Sequence, residues 1–206
     1  MILFVLDACA AARIYFKDIG TKNMRQVYVY PQSLMLVPGI ALCEVLSTLI
    51  SAYNNRVINT AQYKAARAAF EGDLRAGKIR SLNTTPATIN LAATLFCKHK
   101  IQPGKMGLGG ADSLYLATAS HLAAAVEEYD CRVVLITADK ALYNAAQDES
   151  NVESFHFWTC DMGCDCGVEV IPIKGRPTSP NICPNCGRVC TECRHDLCPS
   201  TYQVTF

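Results

Sequence analysis

The chain has 206 residues, of which 50% are hydrophobic and 18% are charged, and its formal net charge is +1. These proportions exclude disordered, collagen-like and acidic-tail proteins. No apolar run approaches the roughly 18 to 20 residues that a membrane-spanning helix needs, so we expect no membrane partner. Composition and charge therefore predict a globular chain.

The predicted elements alternate between strands and helices from the N-terminus onward. Residues 2–6 form an unbroken apolar run that ends at Asp7, which suits a strand buried on both faces. Further strands are predicted at 33–37 and 132–137. Periodicity and capping signals predict helices after the first strand, at 40–53, 59–76, 86–100 and 112–128, and after the last strand. This alternation predicts an α/β fold, a parallel sheet sandwiched by helices.

The cysteines indicate a second, smaller domain. Eight of the twelve lie in the last 47 residues, where large apolar side chains are few. We therefore divide the chain into a larger domain at 1–158 and a cysteine-rich domain at 159–206.

Four carboxylates occupy positions where chemistry is expected in such a sheet. Asp7 ends the first strand, Asp139 follows the last predicted strand by two residues, and Glu44 and Asp112 lie in the first turns of helices. Alone, Asp112 or Asp139 is explained as a helix-start residue. Asp7 and Glu44 are isolated in apolar stretches without a neighbouring lysine or arginine, so a metal cation is a fitting partner.

The charge along the larger domain is strongly divided. Residues 56–105 hold nine basic and two acidic side chains, whereas residues 106–158 hold two basic and eight acidic ones. This division suits a metal enzyme that acts on a polyanion, and it also suits solvated helix surfaces.

Four segments, in this order, resemble the motifs of PIN-domain nucleases: Phe4-Val-Leu-Asp7, Leu42-Cys-Glu44-Val-Leu, Gly107-Leu-Gly-Gly-Ala-Asp112-Ser-Leu-Tyr-Leu-Ala-Thr-Ala119 and Val134-Leu-Ile-Thr-Ala-Asp139. The third segment looks like the VapC-type toxin branch of that family. The family often has a small hydroxyl or amide residue just after the first aspartate, where this chain has Ala8 and Cys9.

The resemblance implies a metal-dependent endoribonuclease. PIN domains bind one or two Mg2+ or Mn2+ ions through such acids and cleave RNA phosphodiester bonds. Carried over to this chain, Asp7 and Asp112 are direct ligands, and Glu44 and Asp139 are ligands, water-holding residues or the general base. Thr137 is expected to position water or a substrate phosphate through its hydroxyl. The VapC-type resemblance also implies an antitoxin partner and a homodimer.

The C-terminal cysteines predict zinc binding. Cys183-Pro-Asn-Cys186 and Cys190-Thr-Glu-Cys193 are C-x-x-C turns, in which two thiolates reach one zinc ion. Only three residues separate the two turns, which favours two separate zinc sites over a single zinc ribbon built from both turns. The two ligand sets are Cys164, Cys166, Cys183 and Cys186, and Cys190, Cys193, His195 and Cys198, with Cys160 competing for either. A disulfide framework is the alternative, disfavoured because an export signal is not evident and a cytoplasmic location is expected.

Together these features predict an endoribonuclease whose zinc-binding tail recruits the substrate or a partner. A PIN domain joined to zinc ribbons also resembles ribosome-biogenesis endonucleases, which implies a ribosome-associated partner. The alternatives are a noncatalytic RNA- or protein-binding scaffold and a DNA-directed or structure-specific nuclease. The remaining cysteines are expected to pack as small hydrophobic residues: Cys9, Cys43, Cys97 and Cys131.

Overall fold

Five parallel strands form the central sheet of the protein. The computed structural model describes residues 1–18, 20–99 and 107–157, and two short strands at 181–182 and 189–190. The sheet strands are β1 (Ile2–Leu6), β2 (Ser33–Pro38), β3 (Ile79–Leu82), β4 (Arg132–Thr137) and β5 (Glu153–His156). They pair in the order β3-β2-β1-β4-β5, and every pairing is parallel. The predicted parallel sheet is confirmed.

Helices flank this sheet. They are α1 (Ala8–Arg13), α2 (Thr21–Tyr28), α3 (Ala41–Asn54), α4 (Thr60–Arg75), α5 (Pro86–Lys98), α6 (Gly110–Ala125) and α7 (Lys140–Gln147). Helix α1 contacts β1 and β4, α3 contacts β2, and α6 contacts β1, β2 and β4. Because all five side chains of β1 are buried, both faces of the central strand are covered. The predicted α/β architecture is therefore confirmed.

The strand order reverses beside β1. The chain moves from β1 to β2 and β3 in one direction, and it then returns to the other side of β1 for β4 and β5. Ile2 of β1 pairs with Ser33 of β2 and with Arg132 of β4. In open α/β sheets, ligands bind outside the carboxyl ends of the strands at such a switch point. The fold therefore places a crevice where β1 and β4 end.

Three elements have no counterpart in the sequence prediction: α2, β3 and β5. Helix α2 follows Gly20, whose φ is 81°, and its sequence, TKNMRQVY, is mostly polar. Strands β3 and β5 lie at the two edges of the sheet, with the sequences IRSL and ESFH. Edge strands are solvated on one side and carry charges, so they lack the unbroken apolar run that marks the central strands.

A half-buried carboxylate joins three segments around α4. Asp73 Oδ2 accepts hydrogen bonds from the hydroxyl of Tyr15 at 3.0 Å and from that of Tyr28 at 2.9 Å. Lys78 donates to the Tyr28 hydroxyl at 3.1 Å and lies 3.5 Å from Asp73 Oδ1. These contacts, which we call the Asp73 network, hold α4 against α2 and the segment after α1.

The cysteines of the larger domain do not all pack as predicted. Cys9 and Cys131 are half-buried, whereas Cys43 and Cys97 are exposed. For these two residues the prediction of burial is wrong, because each lies on the outward side of an amphipathic helix.

The predicted tail lies largely outside the described residues. Its described parts are β6 (Asn181–Ile182) and β7 (Val189–Cys190), which pair in antiparallel fashion. Cys190 is in β7, and the other predicted zinc ligands lie outside the described residues: Cys164, Cys166, Cys183, Cys186, Cys193, His195 and Cys198. The boundary at 158, Cys160 and the zinc sites therefore stay predictions.

Among the helices described above, none is both long enough and apolar enough to cross a membrane.

Candidate active site

Asp7 lies at the switch point of the sheet, where β1 ends and α1 begins. It is the N-cap of α1, and its Oδ1 accepts a hydrogen bond from the backbone N–H of Ala10 at 2.6 Å. Its other oxygen, Oδ2, accepts from the hydroxyl of Thr137, the last residue of β4. Only 5% of Asp7 is exposed. Both carboxylate oxygens are therefore held by the protein.

Thr137 links this carboxylate to the next predicted acid. Its hydroxyl donates to Asp7 and accepts from the backbone N–H of Asp139 at 2.8 Å. Asp139 is the N-cap of α7, and its Oδ1 accepts from the backbone N–H of Leu142 at 2.8 Å. The threonine is fully buried. Its predicted contact with water or substrate stays a prediction, and the observed contacts fix the ends of two neighbouring strands.

Glu44 reaches the same corner from the first turn of α3. The hydroxyl of Tyr115, on α6, donates to Glu44 Oε2 at 2.5 Å. Tyr115 is only 2% exposed, so the bond is shielded from water. Tyr115 is not among the residues predicted from the sequence, although it stands three residues after Asp112 on the same helix, a spacing that places two side chains on one face.

Asp112 lies in the first turn of α6, two residues after the pair Gly109-Gly110. A Cβ atom on Gly109 would stand 2.5 Å from Asp112 Oδ2, whereas one on Gly110 would meet no atom within 4 Å. The φ of Gly109 is −73°, which any residue adopts, so close approach explains this glycine. The absent side chain leaves room for the carboxylate.

The four acids interact electrostatically. Burial, followed by the charge of Asp112, raises the pKa of Asp7 to about 6, against the lowering effect of its hydrogen bonds. Burial, and then the charges of Asp139 and Glu44, raise the pKa of Asp112. Burial, the bond to Glu44, and the charges of Glu44, Asp7 and Asp112 raise the pKa of Tyr115. We call the set Asp7, Glu44, Asp112 and Asp139 the acidic corner.

The donors of the acidic corner fit a hard divalent cation. Carboxylate oxygens are the ligands that Mg2+ and Mn2+ prefer, and Mg2+ commonly rests on one or two carboxylates while keeping several waters. In the described part of the chain, no group of three or more histidine, cysteine, aspartate or glutamate side chains has the geometry to hold a metal ion.

Cys9 lies beside the corner without joining it. Its Sγ is 3.9 Å from Asp7 Oδ2, and burial raises the pKa of the thiol. A protonated thiol is a poor ligand, so Cys9 is not expected to hold a metal ion. The hydroxyl that contacts the first aspartate comes instead from Thr137, across the sheet.

Comparisons with known proteins identify the family. The family model described as "PIN domain" matches residues 4–148. The chain belongs to the PIN-domain family. Members of this family are typically nucleases. No curated protein matches the sequence.

Solved structures resemble this PIN domain at low sequence identity. One is the complex FitAB bound to a DNA fragment, with 17% identity and a TM-score of 0.49, covering 79% of this chain and 99% of that chain. FitAcB from Neisseria gonorrhoeae has 16% identity and a TM-score of 0.47, with coverages of 78% and 100%. VapBC2 from Rickettsia felis, bound to a fragment of promoter DNA, has 12% identity and a TM-score of 0.46, with coverages of 74% and 97%.

Proposed function

We propose that the protein is a metal-dependent endoribonuclease that hydrolyses RNA phosphodiester bonds at the acidic corner. The observation that carries this proposal is the electrostatic coupling of Asp112 to Asp7, Glu44 and Asp139 in a PIN domain, at the switch point of the sheet. Groups of like charge in a partly buried site either keep protons or bind cations. Mg2+ or Mn2+ is the cation that these oxygen donors favour.

Asp7 and Asp112 are proposed to hold the ion, and Glu44 and Asp139 are proposed as further ligands, holders of the attacking water or the general base. When bound, the ion supplies positive charge that lowers the pKa of a water molecule and offsets charge on the phosphate oxygens. The Thr137 hydroxyl restrains the Asp7 carboxylate by donating to it, and it positions Asp139 by accepting from the backbone N–H of that residue.

Tyr115 is proposed as a positioning residue for Glu44. Its hydroxyl holds one oxygen of the carboxylate at 2.5 Å, so the other oxygen faces a defined direction. Replacing Tyr115 by phenylalanine removes this bond and keeps the ring. We expect a cleavage rate about tenfold lower, because the Glu44 carboxylate is then free to rotate.

The decisive experiment measures cleavage by the purified full chain. RNA and DNA are each incubated with Mg2+, Mn2+ or EDTA, and the assay is repeated with Asp7→Asn and Asp112→Asn. We expect RNA cleavage that needs the metal and falls at least about a hundredfold in both variants. In EDTA, Asp112→Asn should unfold at the same temperature as the unmodified chain or higher, because the substitution removes a charge repelled by Asp139 and Glu44.

Each other outcome contradicts a stated part of the proposal. Cleavage that survives Asp7→Asn indicates a contaminating nuclease. Binding of RNA without cleavage by the unmodified chain indicates a noncatalytic scaffold, and preferential cleavage of DNA indicates a DNA-directed or structure-specific nuclease. A clear loss of metal-free stability in Asp112→Asn makes Asp112 a structural helix-start residue.

The proposal extends to partners and to the tail. An antitoxin and a second copy of the chain are proposed partners, in keeping with the VapC-type resemblance of the third motif. We propose that one or two zinc ions order residues 159–206, and that this tail recruits RNA or a ribosome-associated partner. Reduced thiolates suit the cytoplasm, which is the proposed location.

A further inference from the structure

A surface depression lies between the end of α3 and the start of α4, away from the acidic corner. Its volume is about 580 Å³. Among the residues that line it are Tyr53, Arg56, Val57, Asn59 and Gln62. We call this depression the Arg56 pocket. An α-helix rises 1.5 Å per residue, so the end of α3 lies roughly 15 Å along the helix from Glu44.

Arg56 occupies a backbone position that favours glycine. Its φ is 58°, and its N–H donates to the carbonyl of Tyr53 at 2.9 Å, while the N–H of Val57 donates to that of Ala52 at 2.9 Å. These bonds form the Schellman motif that ends many helices, and the left-handed residue in it is usually glycine. Backbone strain of this kind is concentrated at binding and catalytic sites, which makes Arg56 a candidate binding residue.

An aromatic surface adjoins this charge. The rings of Tyr53 and Tyr63 pack with their centroids 5.7 Å apart and their planes inclined at 38°. Tyr53 remains 41% exposed, although burial of a large aromatic side chain is favourable. Exposed aromatic rings next to arginine form the platforms on which unpaired bases stack. Tyr53 is thus placed to stack on a base while Arg56 contacts a phosphate.

The amides of the pocket offer hydrogen-bond donors. The backbone N–H of Gln62 donates to Asn59 Oδ1 at 2.9 Å, and the backbone N–H of Asn59 donates to Gln62 Oε1 at 2.8 Å. This capping box uses the side-chain oxygens of both residues. Each amide therefore retains its N–H donors for the edge of a base.

The charge around the pocket favours a polyanion. Residues 45–70 contain no aspartate or glutamate, and their charged side chains are Arg56, Lys64 and Arg67. Arg67 pairs with Glu71 at 2.8 Å, which lies just beyond this range. The exposed residues of α3 between Glu44 and the pocket, such as Ser47 and Ile50, are uncharged. Between Glu44 and the pocket, α3 therefore offers a phosphate backbone no acid of its own.

We propose that the Arg56 pocket binds an unpaired nucleotide of a single-stranded RNA whose scissile phosphate lies at the acidic corner. The substrate class rests on the proposed function, but binding at the pocket is measured without cleavage. At 3.4 Å per stacked nucleotide, the separation of roughly 15 Å corresponds to about four or five nucleotides. The protein thus selects RNA with an unpaired stretch of at least that length.

The test measures binding of fluorescent RNA to the full chain in EDTA, by anisotropy. The probes are a single strand of about 12 nucleotides and a duplex of the same length. Tyr53→Ala should weaken binding of the single strand at least about fivefold and leave duplex binding unchanged, because a paired base is not free to stack. The matched control is Tyr129→Ala, which removes a tyrosine that is 68% exposed in an acidic segment.

A second variant separates binding from folding. Arg56→Gly relieves the backbone strain, so its unfolding temperature should equal or exceed that of the unmodified chain. The same variant should reduce the magnitude of the slope of log K, where K is the RNA-binding constant, against log salt concentration by about 0.7. This is the value for one lost phosphate contact on a single strand.

Three results would overturn the proposal. In the first, Tyr53→Ala binds the single strand with an affinity within twofold of that of the unmodified chain. In the second, Tyr53→Ala weakens duplex binding as much as it weakens single-strand binding. In the third, Arg56→Gly leaves the slope of log K against log salt unchanged. If the unmodified chain binds RNA through the Arg56 pocket but never cleaves it, the nuclease proposal is wrong, whereas the proposal that the pocket binds RNA is supported. If the chain cleaves RNA while Tyr53→Ala binds normally, the pocket proposal alone fails.

Discussion

The carboxyl group of Asp7 is an acid held in a site that disfavours its charge. Burial raises its pKa to about 6, whereas an aspartate in an unfolded chain has a pKa near 3.9. The folded state therefore binds the proton more tightly than the unfolded state. This contribution to stability is present below about pH 4 and is lost as the pH rises through 6.

We accordingly expect the metal-free protein to lose up to about 3 kcal/mol of unfolding free energy between pH 4 and pH 7 through this group. Asp7→Asn removes the proton equilibrium, so the difference between the two proteins isolates the effect from that of other acids. Urea unfolding in EDTA at a series of pH values measures it. If the curves of unfolding free energy against pH are parallel for the two proteins, the pKa of Asp7 is not raised and the prediction is wrong. Excess Mg2+ in place of EDTA should reduce the loss of unfolding free energy.

The two glycines before Asp112 offer a matched pair of substitutions. Gly109→Ala fits the backbone, but its Cβ would lie 2.5 Å from Asp112 Oδ2, so the carboxylate must move. We expect Mn2+ affinity and RNA cleavage to fall about tenfold, with little change in unfolding temperature. Gly110→Ala meets no atom within 4 Å and should leave both unchanged. Equal effects of the two substitutions would show that Asp112 needs no such space.

The four acids could be predicted as residues, while the contacts that hold them could not. Asp7 and Glu44 are isolated charges in apolar stretches, and this contrast is visible in the sequence. Tyr115 does not stand out from its neighbours in this way, because a tyrosine within an apolar helix is predicted to be a core residue. Its hydroxyl meets Glu44 from 71 positions away, a pairing that only the packing of α6 against the sheet creates.

At the scale of elements, predictability follows burial. β1, β2 and β4 lie at the centre of the sheet, and their unbroken apolar runs predict them correctly. β3 and β5 are edge strands, where Arg80 and Glu153 are exposed and interrupt the pattern. α2 depends on tertiary contacts, since its few apolar side chains, such as Met24 and Val27, are fully buried while its composition is polar.

The Asp73 network provides a prediction about how α4 is held. Asp73→Ala leaves the hydroxyls of Tyr15 and Tyr28 without their shared acceptor in a half-buried position. We expect the unfolding free energy to fall by about 2 kcal/mol, and cleavage per folded molecule to remain unchanged. Glu71→Ala on the same helix is the control, because its ion pair with Arg67 is exposed and should contribute nothing measurable. Equal stability of the two variants would show that the network is dispensable.

At the scale of the molecule, the cysteine-rich tail is predicted to be a metal-ordered unit. The full chain purified under reducing conditions should contain one or two zinc ions by elemental analysis, and Cys183→Ser should lower that number by one. Cys97→Ser is the control, since Cys97 is an exposed cysteine of α5 outside the tail. A chain free of zinc whose tail thiols are oxidised in pairs would indicate the disulfide framework instead.

The position of β1 in the middle of the sheet governs when the acidic corner can be assembled. β1 is the first strand to be synthesised, but one of its two partners, β4, begins at Arg132. Asp139 and the Thr137 hydroxyl arrive with or just after that late strand, so a nascent chain that ends before them lacks one of the four acids and the hydroxyl that holds Asp7. Under the proposed nuclease function, an unfinished copy released by a stalled ribosome should therefore be harmless to the transcripts around it.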